Sequence, residues 1–232
     1  MKLIGCSNAG WSFSLTRIKQ VNSMYLVLCQ LDQNKKYSYI DLQNEIEKKC
    51  PDVNASKVRM FIPFLVKLGV LKNNQGKLSE IITPFGKKFF YFLSLYEKIH
   101  LLKNEEAIDI SEEILSNFLI NGYKNLLNDK KDRIYYYLIK ILFKVEYIEK
   151  NEFFLITTVL EKMSDETETV KEAEIIKLIT EYRKGKIENI EIEENINAFG
   201  YIMPFARSCN LILKKEEKYY LNKSRVNLLD RG

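Results

Sequence analysis

The chain has 232 residues, of which 46% are hydrophobic and 29% charged, and a formal net charge of +5. This composition excludes a disordered tail, because it supplies enough apolar side chains for a packed core. The most apolar segment, Ile134–Val145, is too short to span a membrane and is interrupted by Lys140 and Lys144. The N-terminus lacks the apolar core of a signal peptide. We therefore predict a cytoplasmic protein with no membrane partner.

Cysteine and histidine content argues against a metal centre. The four cysteines show no CxxC pair, and His100 is the single histidine of the chain. A structural zinc site needs four such ligands at characteristic spacings. The sequence therefore predicts no metal site and no cofactor in this chain.

Charge is unevenly distributed along the sequence. Residues 1–100 carry 15 Lys and Arg against 7 Asp and Glu, and residues 193–232 carry 7 against 5. Residues 101–192 are acidic, with 14 against 19. Basic ends around an acidic middle favour contact between the ends and nucleic-acid phosphates, although a solvated lysine-rich surface gives the same asymmetry.

The first predicted elements are helices over residues 24–33 and 40–49. A third helix is predicted over residues 54–68, where apolar side chains recur at three- and four-residue steps. Asn54 and Ser56 are candidate caps at its start, and a left-handed Gly69 is expected to end it.

Pro63 lies inside this third helix, where it removes a backbone donor, so we expect a kink or a restart there. Strands are predicted over residues 70–72 and 78–83, on either side of a turn. Three helices followed by a two-stranded wing are typical of a winged helix, whose third helix enters the major groove of DNA. Thr83-Pro84 then predicts a helix to about Leu102, with proline in its first turn.

The middle of the chain, residues 104–185, predicts a series of helices and shows no motif for chemistry. The predicted helices cover residues 110–119, 132–145, a segment ending near 163, and 170–184. We interpret this region as a linker domain.

The last segment repeats the first. Pro63 and Gly69 have counterparts in Pro204 and Asn210, both 141 residues later, and a second hairpin is predicted around Lys214–Lys218. The predicted fold is therefore mainly α with small β-wings. It comprises an N-terminal arm with a first winged-helix domain (residues 1–100), a helical linker domain (101–190) and a second winged-helix domain (191–232).

Candidate DNA-binding residues follow from this fold. Lys57 and Arg59 lie near the start of the third helix, where base edges are reached, and the planar guanidinium of arginine suits guanine. Wing lysines and asparagines suit phosphate contact. The full predicted set is Asn54, Ser56, Lys57, Arg59, Lys72, Asn73, Asn74, Lys77, Asn197, Tyr201, Arg207, Lys214, Lys215 and Lys218.

Four stretches carry a resemblance to a known family: SKVRMFIPFLVKLGVL with IITPFGKKF, YYYLIKILFKVEYIEKNEFFLIT, EIIKLITEYRKGK, and AFGYIMPFARSCNLILKKEEKYYLN. In their order, they resemble the DNA-recognition region of type IIS restriction and nicking endonucleases of the FokI/AlwI kind. The resemblance covers most of residues 20–225 and consists of hydrophobic patterning. It implies sequence-specific binding of double-stranded DNA in restriction-modification. It also implies a Mg²⁺-dependent nuclease domain or subunit outside these residues.

A nuclease site within the chain is not expected. Two matches to the Glu-x-Lys half of a metal-dependent nuclease motif start at Glu47 and Glu216. The first falls on a predicted helix and the second in a predicted wing, whereas such a site needs carboxylates on adjacent strands. We predict no catalytic residues here and leave enzymatic activity open.

Two other functions fit the same pattern. A stand-alone transcription or replication regulator with tandem winged helices would need no nuclease. A winged-helix scaffold for protein contacts would show no salt-dependent affinity for DNA.

Overall fold

The computed structural model describes residues 1–6, 10–129 and 133–229. The first half of the chain forms β1 (Lys2–Ile4), α1 (Leu15–Gln30), β2 (Lys36–Tyr37), α2 (Tyr39–Lys49), α3 (Ala55–Lys67), β3 (Gly76–Lys77), α4 (Leu78–Ile81), α5 (Pro84–Leu102) and α6 (Glu105–Leu127). The second half forms α7 (Ile134–Val145), β4 (Tyr147–Ile148), α8 (Lys150–Lys162), α9 (Glu168–Arg183), β5 (Glu191–Glu194), α10 (Ala198–Ser208), β6 (Ile212–Lys215), β7 (Lys218–Leu221) and α11 (Lys223–Val226). The predicted mainly α class is confirmed.

These elements divide into two compact units, Ser12–Asn125 and Met1–Trp11 with Leu126–Gly232. We call them the central unit and the split unit. The boundary at Asn125 lies within the region predicted as a linker. Strand β1 pairs in parallel with β5, so the start of the chain joins the split unit.

The core of the central unit is rich in phenylalanine. Phe118 on α6 packs against Phe85, Phe89 and Phe92 of α5, with ring centroids 5.2 to 5.9 Å apart. On another side of α5, Phe90 stacks on Tyr25 of α1 at 4.2 Å. Phe89 and Phe92 are buried and Phe85 and Phe118 are half-buried, whereas Tyr91 on α5 is 76% exposed.

The split unit contains a three-stranded antiparallel sheet in the order β4-β7-β6. Tyr147 lies opposite Tyr220, and Ile148 lies opposite Tyr219. Arg183 holds the edge strand, because its guanidinium donates to the carbonyl oxygens of Val145 and Tyr147 and to the buried Glu152 carboxylate. Sheet pairing therefore ties a segment of the predicted linker to the C-terminal hairpin.

Both units contain the same sequence of local structures. In each, a helix leads to a two-residue strand and then directly to a helix that begins with a capping box: Ser38 with Asp41 before α2, and Glu149 with Glu152 before α8. A capping box satisfies two otherwise unpaired backbone donors. The strand therefore passes into the helix without an intervening loop in both places.

The end of the proline-containing helix is also duplicated. Gly69 and Asn210 both adopt positive φ, at 73° and 54°, six residues after Pro63 and Pro204. The following amides close the same turn, with Val70 donating to Leu65 and Leu211 donating to Ala206. This is the left-handed helix end predicted at both positions.

In both copies, a side chain from later in the chain donates a hydrogen bond to the carbonyl of the turn residue. Thr83 donates through its hydroxyl to the Gly69 carbonyl at 2.8 Å, and Asn222 donates through its amide to the Asn210 carbonyl at 2.9 Å. Thr83 also caps α5, whose first residue is Pro84, as predicted. The repeat therefore extends beyond hydrophobic patterning to individual hydrogen bonds.

Several predicted boundaries are wrong. The first helix runs over Leu15–Gln30, nine residues ahead of the predicted start, and α3 is continuous across Pro63, so it does not restart there. The predicted strand over residues 78–83 is mostly helix α4, because Leu78 and Ile81 are buried at helical spacing while Ser79 and Glu80 are exposed. Between the two sides of the first predicted wing, strand pairing is reduced to an isolated bridge between Leu71 and Ile82. Asp132, the predicted start of α7, lies outside the described residues.

Candidate nucleic-acid interface

The start of α3 presents four of the predicted residues. Asn54 is the cap, and its side chain accepts a hydrogen bond from the backbone amide of Lys57 at 3.1 Å. The Lys57 ammonium donates to the Asp52 carbonyl at 2.6 Å, which holds this half-buried side chain over the helix start. Ser56 and Arg59 are exposed. Polar groups therefore surround the first turn of α3.

Arg59 lies beside the start of the preceding helix. Burial raises the pKa of the Tyr39 hydroxyl, and the positive charge of Arg59 offsets part of this rise. Within the described part of the chain, Arg59 forms no ion pair. Its guanidinium is thus positioned near α2 and remains available to an external acceptor.

The loop after α3 places the first-wing residues at an open cleft of about 500 Å³. Asn73 and Asn74 line this cleft together with Lys36, Ser38 and Gln75. Lys72 is exposed, while Lys77 lies 3.9 Å from Glu80 and is partly neutralised. The pairing of β2 with β3, which sets Lys36 opposite Lys77, brings these segments together.

Sequence reasoning missed the contribution of β2 to this cleft. Lys36 follows Lys35, and Lys35 lies 5.1 Å from the centroid of the Tyr37 ring. The sequence did contain one indication of a basic surface here, the dipeptide Lys35-Lys36 in a polar turn. Two residues are too few for a recognisable alternation of polar and apolar positions, so periodicity did not identify the strand.

In the split unit, α10 carries three predicted residues. Asn197 lies at its start and is exposed, and its side chain makes no capping hydrogen bond. Tyr201 follows one turn later on the same face and is half-buried, and its backbone carbonyl lies close to Gly10. Arg207 is exposed at the C-terminal end, a full helix length from Asn197.

The β6–β7 hairpin carries the remaining three lysines, and the structure separates them. Lys214 pairs with Glu217 at 3.2 Å and lies on the same sheet face as the buried Tyr219. Lys215 and Lys218 lie on the opposite face, 5.7 Å above the Tyr220 ring and 4.4 Å above the Tyr147 ring. Interaction with Tyr147 raises the pKa of Lys218, so its charge is firmly retained.

The two positions that match part of a nuclease motif belong to different units. Glu47 lies on α2 of the central unit, and Glu216 lies at the hairpin turn of the split unit with φ of 54°. Across the described residues, no cluster of three or more His, Cys, Asp or Glu side chains could hold a metal ion. No helix in the same described ranges is both long and apolar enough to cross a bilayer.

Comparison with known proteins gives no assignment. No family model, curated protein or solved structure matches the chain.

Proposed function

We propose that this chain binds double-stranded DNA sequence-specifically, as the recognition region or subunit of a type II, IIS-like restriction or nicking endonuclease. The observation that carries the proposal is the duplicated order of local structures. Helix, short strand, capped helix, proline-containing helix and left-handed turn occur in this order in both units, with α9 and β5 inserted before the proline-containing helix of the split unit. This is the order of a winged helix, and two copies suit the extended contact that a specific site requires.

The split unit supports the winged-helix interpretation through its sheet. In a winged helix, the strand after the first helix pairs with the last strand of the wing, and β4 pairs with β7 in this way. Helix α9 and strand β5 are then an insertion between the second and third helices of the module. On this interpretation α10 is the recognition helix and β6–β7 is the wing.

The central unit supports the same interpretation with a shorter wing. Helices α1, α2 and α3 precede the Leu71–Ile82 bridge, and α4 occupies part of the connection. Its third helix begins with exposed polar side chains, including Arg59, and its wing exposes Lys72. Uncompensated cations at these positions favour contact with phosphates and base edges.

Selection from randomised duplexes tests DNA binding directly. We expect enrichment of one motif, with an affinity that falls as salt rises because counterions are released from DNA. Fluorescence anisotropy should then show weaker binding for Arg59→Ala and Lys72→Ala. Lys98→Ala is the matched control, since Lys98 is an exposed lysine on α5 that belongs to neither proposed wing. A selection that enriches no motif, or an affinity for DNA that does not change with salt concentration, would contradict the proposal.

The endonuclease part of the proposal has its own test. Cell extracts containing the native protein should cut DNA at a fixed distance from the selected motif when Mg²⁺ is supplied. The chain alone should bind the same duplex with Mg²⁺ and leave its phosphodiesters intact. Loss of cutting on Glu47→Gln or Glu216→Gln would instead show a nuclease within these residues. A motif near promoters with no associated cutting would favour a regulator.

A further inference from the structure

A groove in the split unit lies outside all the predicted contacts. It has a volume of about 350 Å³ and lies between the C-terminal end of α7 and strand β7. Pockets that hold small ligands in proteins begin at about 300 Å³. Its walls include Phe143, Lys144, Glu146, Tyr220, Leu221 and Lys223. This groove, here called the β7 groove, is defined by those six residues.

Aromatic side chains form two of its walls. Phe143 is 55% exposed, although seven of the other apolar side chains of α7 are buried. Tyr220 is half-buried on the outer sheet face, with its ring centroid 5.7 Å from that of Tyr147. Exposed aromatic rings beside positive charge are the surface on which unpaired bases stack, since every base has a π-face.

The charges around the groove favour an anionic ligand. Lys223 is exposed and, among the described residues, forms no ion pair. Lys215 and Lys218 lie on the outer face that Tyr220 shares, and neither forms an ion pair in that part of the chain, although the charge of Glu149 contributes to the raised pKa of Lys218. Lys144 is different, because it pairs with Glu172. Three lysines without an ion pair thus lie near the aromatic walls.

Glu146 gives the groove a hydrogen-bond acceptor in an unusual backbone conformation. Its φ of 68° and ψ of −50° fall in the γ-turn region that non-glycine residues rarely adopt. Such strain persists where the surrounding structure enforces it, often at ligand sites. A carboxylate can accept from the exocyclic amino group of a base, as it does from cytosine N4.

We propose that the β7 groove binds an unpaired nucleotide of a single-stranded nucleic acid. The base lies against Phe143 and Tyr220, and its phosphate lies by Lys223, with the neighbouring phosphates toward Lys215 and Lys218. This activity is additional to duplex binding and does not depend on it. The aromatic and basic side chains recognise chemistry that DNA and RNA share.

Anisotropy with fluorescein-labelled ten-residue oligonucleotides of dT, dC and their RNA equivalents provides the test. Phe143→Ala should weaken single-strand binding about tenfold, the typical loss of one base-stacking contact. Tyr91→Ala is the matched control, because Tyr91 is 76% exposed on α5 and should have no effect. Glu146→Gln should reduce the preference for dC over dT. Comparison of the DNA and RNA arms identifies the natural strand.

The place where the oligonucleotide binds is tested by photocrosslinking with 4-thiothymidine, which should label the peptide that contains Phe143 or the one that contains Tyr220. Tyr220→Leu should also weaken single-strand binding. Because Tyr220 belongs to β7, thermal unfolding of each variant accompanies the binding data, and Phe143→Ala decides the question if the Tyr220→Leu protein does not fold. Single-strand binding that Phe143→Ala leaves unchanged, or no binding to any oligonucleotide, would overturn the proposal. Retained single-strand binding without duplex binding would overturn only the duplex proposal.

Discussion

Lys215 and Lys218 lie directly opposite each other across β6 and β7, on the sheet face that also carries Tyr220. Like charges in this arrangement destabilise a hairpin. This pair suits the phosphate contact proposed for the hairpin, because an anion between the two ammonium groups would remove the repulsion. Lys214, one residue earlier, lies on the other face and pairs with Glu217.

Lys215→Glu is therefore expected to separate stability from binding. The new carboxylate faces Lys218, so the midpoint of thermal unfolding should rise while nucleic-acid affinity falls. The slope of log affinity against log salt should decrease by about one for each lost phosphate contact. Lys214→Glu is the control, because it replaces the ion pair with Glu217 by two like charges and should not raise the midpoint. A lower midpoint for Lys215→Glu would contradict this account.

A second prediction compares two helical glycines. A Cβ added at Gly86 would lie 2.0 Å from the Val70 carbonyl oxygen, whereas one at Gly200 would meet nothing within 4 Å. Gly86→Ala should thus destabilise the protein by about 1–3 kcal/mol through overpacking. Gly200→Ala should stabilise it by about 0.5–1 kcal/mol through reduced backbone entropy of the unfolded chain. Urea denaturation measures both, and equal effects would contradict the structure around Thr83 and Val70.

The connection between the end of α3 and the start of α5 shows how far the sequence could predict the fold. The positive φ at Gly69, the cap at Thr83 and proline in the first turn of α5 all follow from local residue chemistry. Asn210 follows the same rule, since asparagine is the commonest non-glycine substitute at this position. Local rules therefore predicted where the proline-containing helix ends in both copies, at Gly69 and at Asn210.

Other parts of the fold depend on distant pairing and could not be predicted in this way. Strand β4 has two residues, and its partner β7 lies about 70 residues later in the chain. Its pairing is set by the sheet and by Arg183, not by a pattern within Tyr147-Ile148. The β7 groove was missed for the same reason, because its walls come from α7 and β7, which the sequence separates widely.

The third prediction concerns acid stability. Glu172 accepts from Lys140 at 2.8 Å and pairs with Lys144, and hydrogen bonds from these two lysines lower its pKa below the usual 4.5. A folded pKa below the unfolded value stabilises the protein above pH 4.5, and this stabilisation is lost as the pH falls through the folded pKa.

Glu172→Gln should accordingly cost about 1–2 kcal/mol at pH 7, given the partial exposure of both lysines. The difference from the native chain should shrink toward pH 3, where the native carboxylate is protonated. Urea denaturation at several pH values measures this convergence. Lys177, whose exposed side chain pairs with Glu174 on the same helix, provides the control Lys177→Ala with little effect. A difference that is constant with pH would refute this role for Glu172.

The last prediction separates base recognition from phosphate contact on α3, and it rests on the proposed duplex binding. Residues two positions apart on a helix differ by about 200° around its axis, so Lys57 and Arg59 cannot face the groove floor equally. Val58, Phe61, Ile62 and Leu65 define the buried face of α3. The ammonium of Lys57 is held at the helix start by the Asp52 carbonyl, whereas the guanidinium of Arg59 is exposed beside Tyr39.

Arg59→Ala should therefore cost about 1–3 kcal/mol on the selected site and relax preference at one base pair. Lys57→Ala should weaken binding to all sequences alike and lower the salt slope by about one. Repeating the selection from randomised duplexes with each variant distinguishes the two effects. An unchanged motif for Arg59→Ala would mean that Arg59 contacts the backbone, and the base contact would then have to come from Ser56 or from α10.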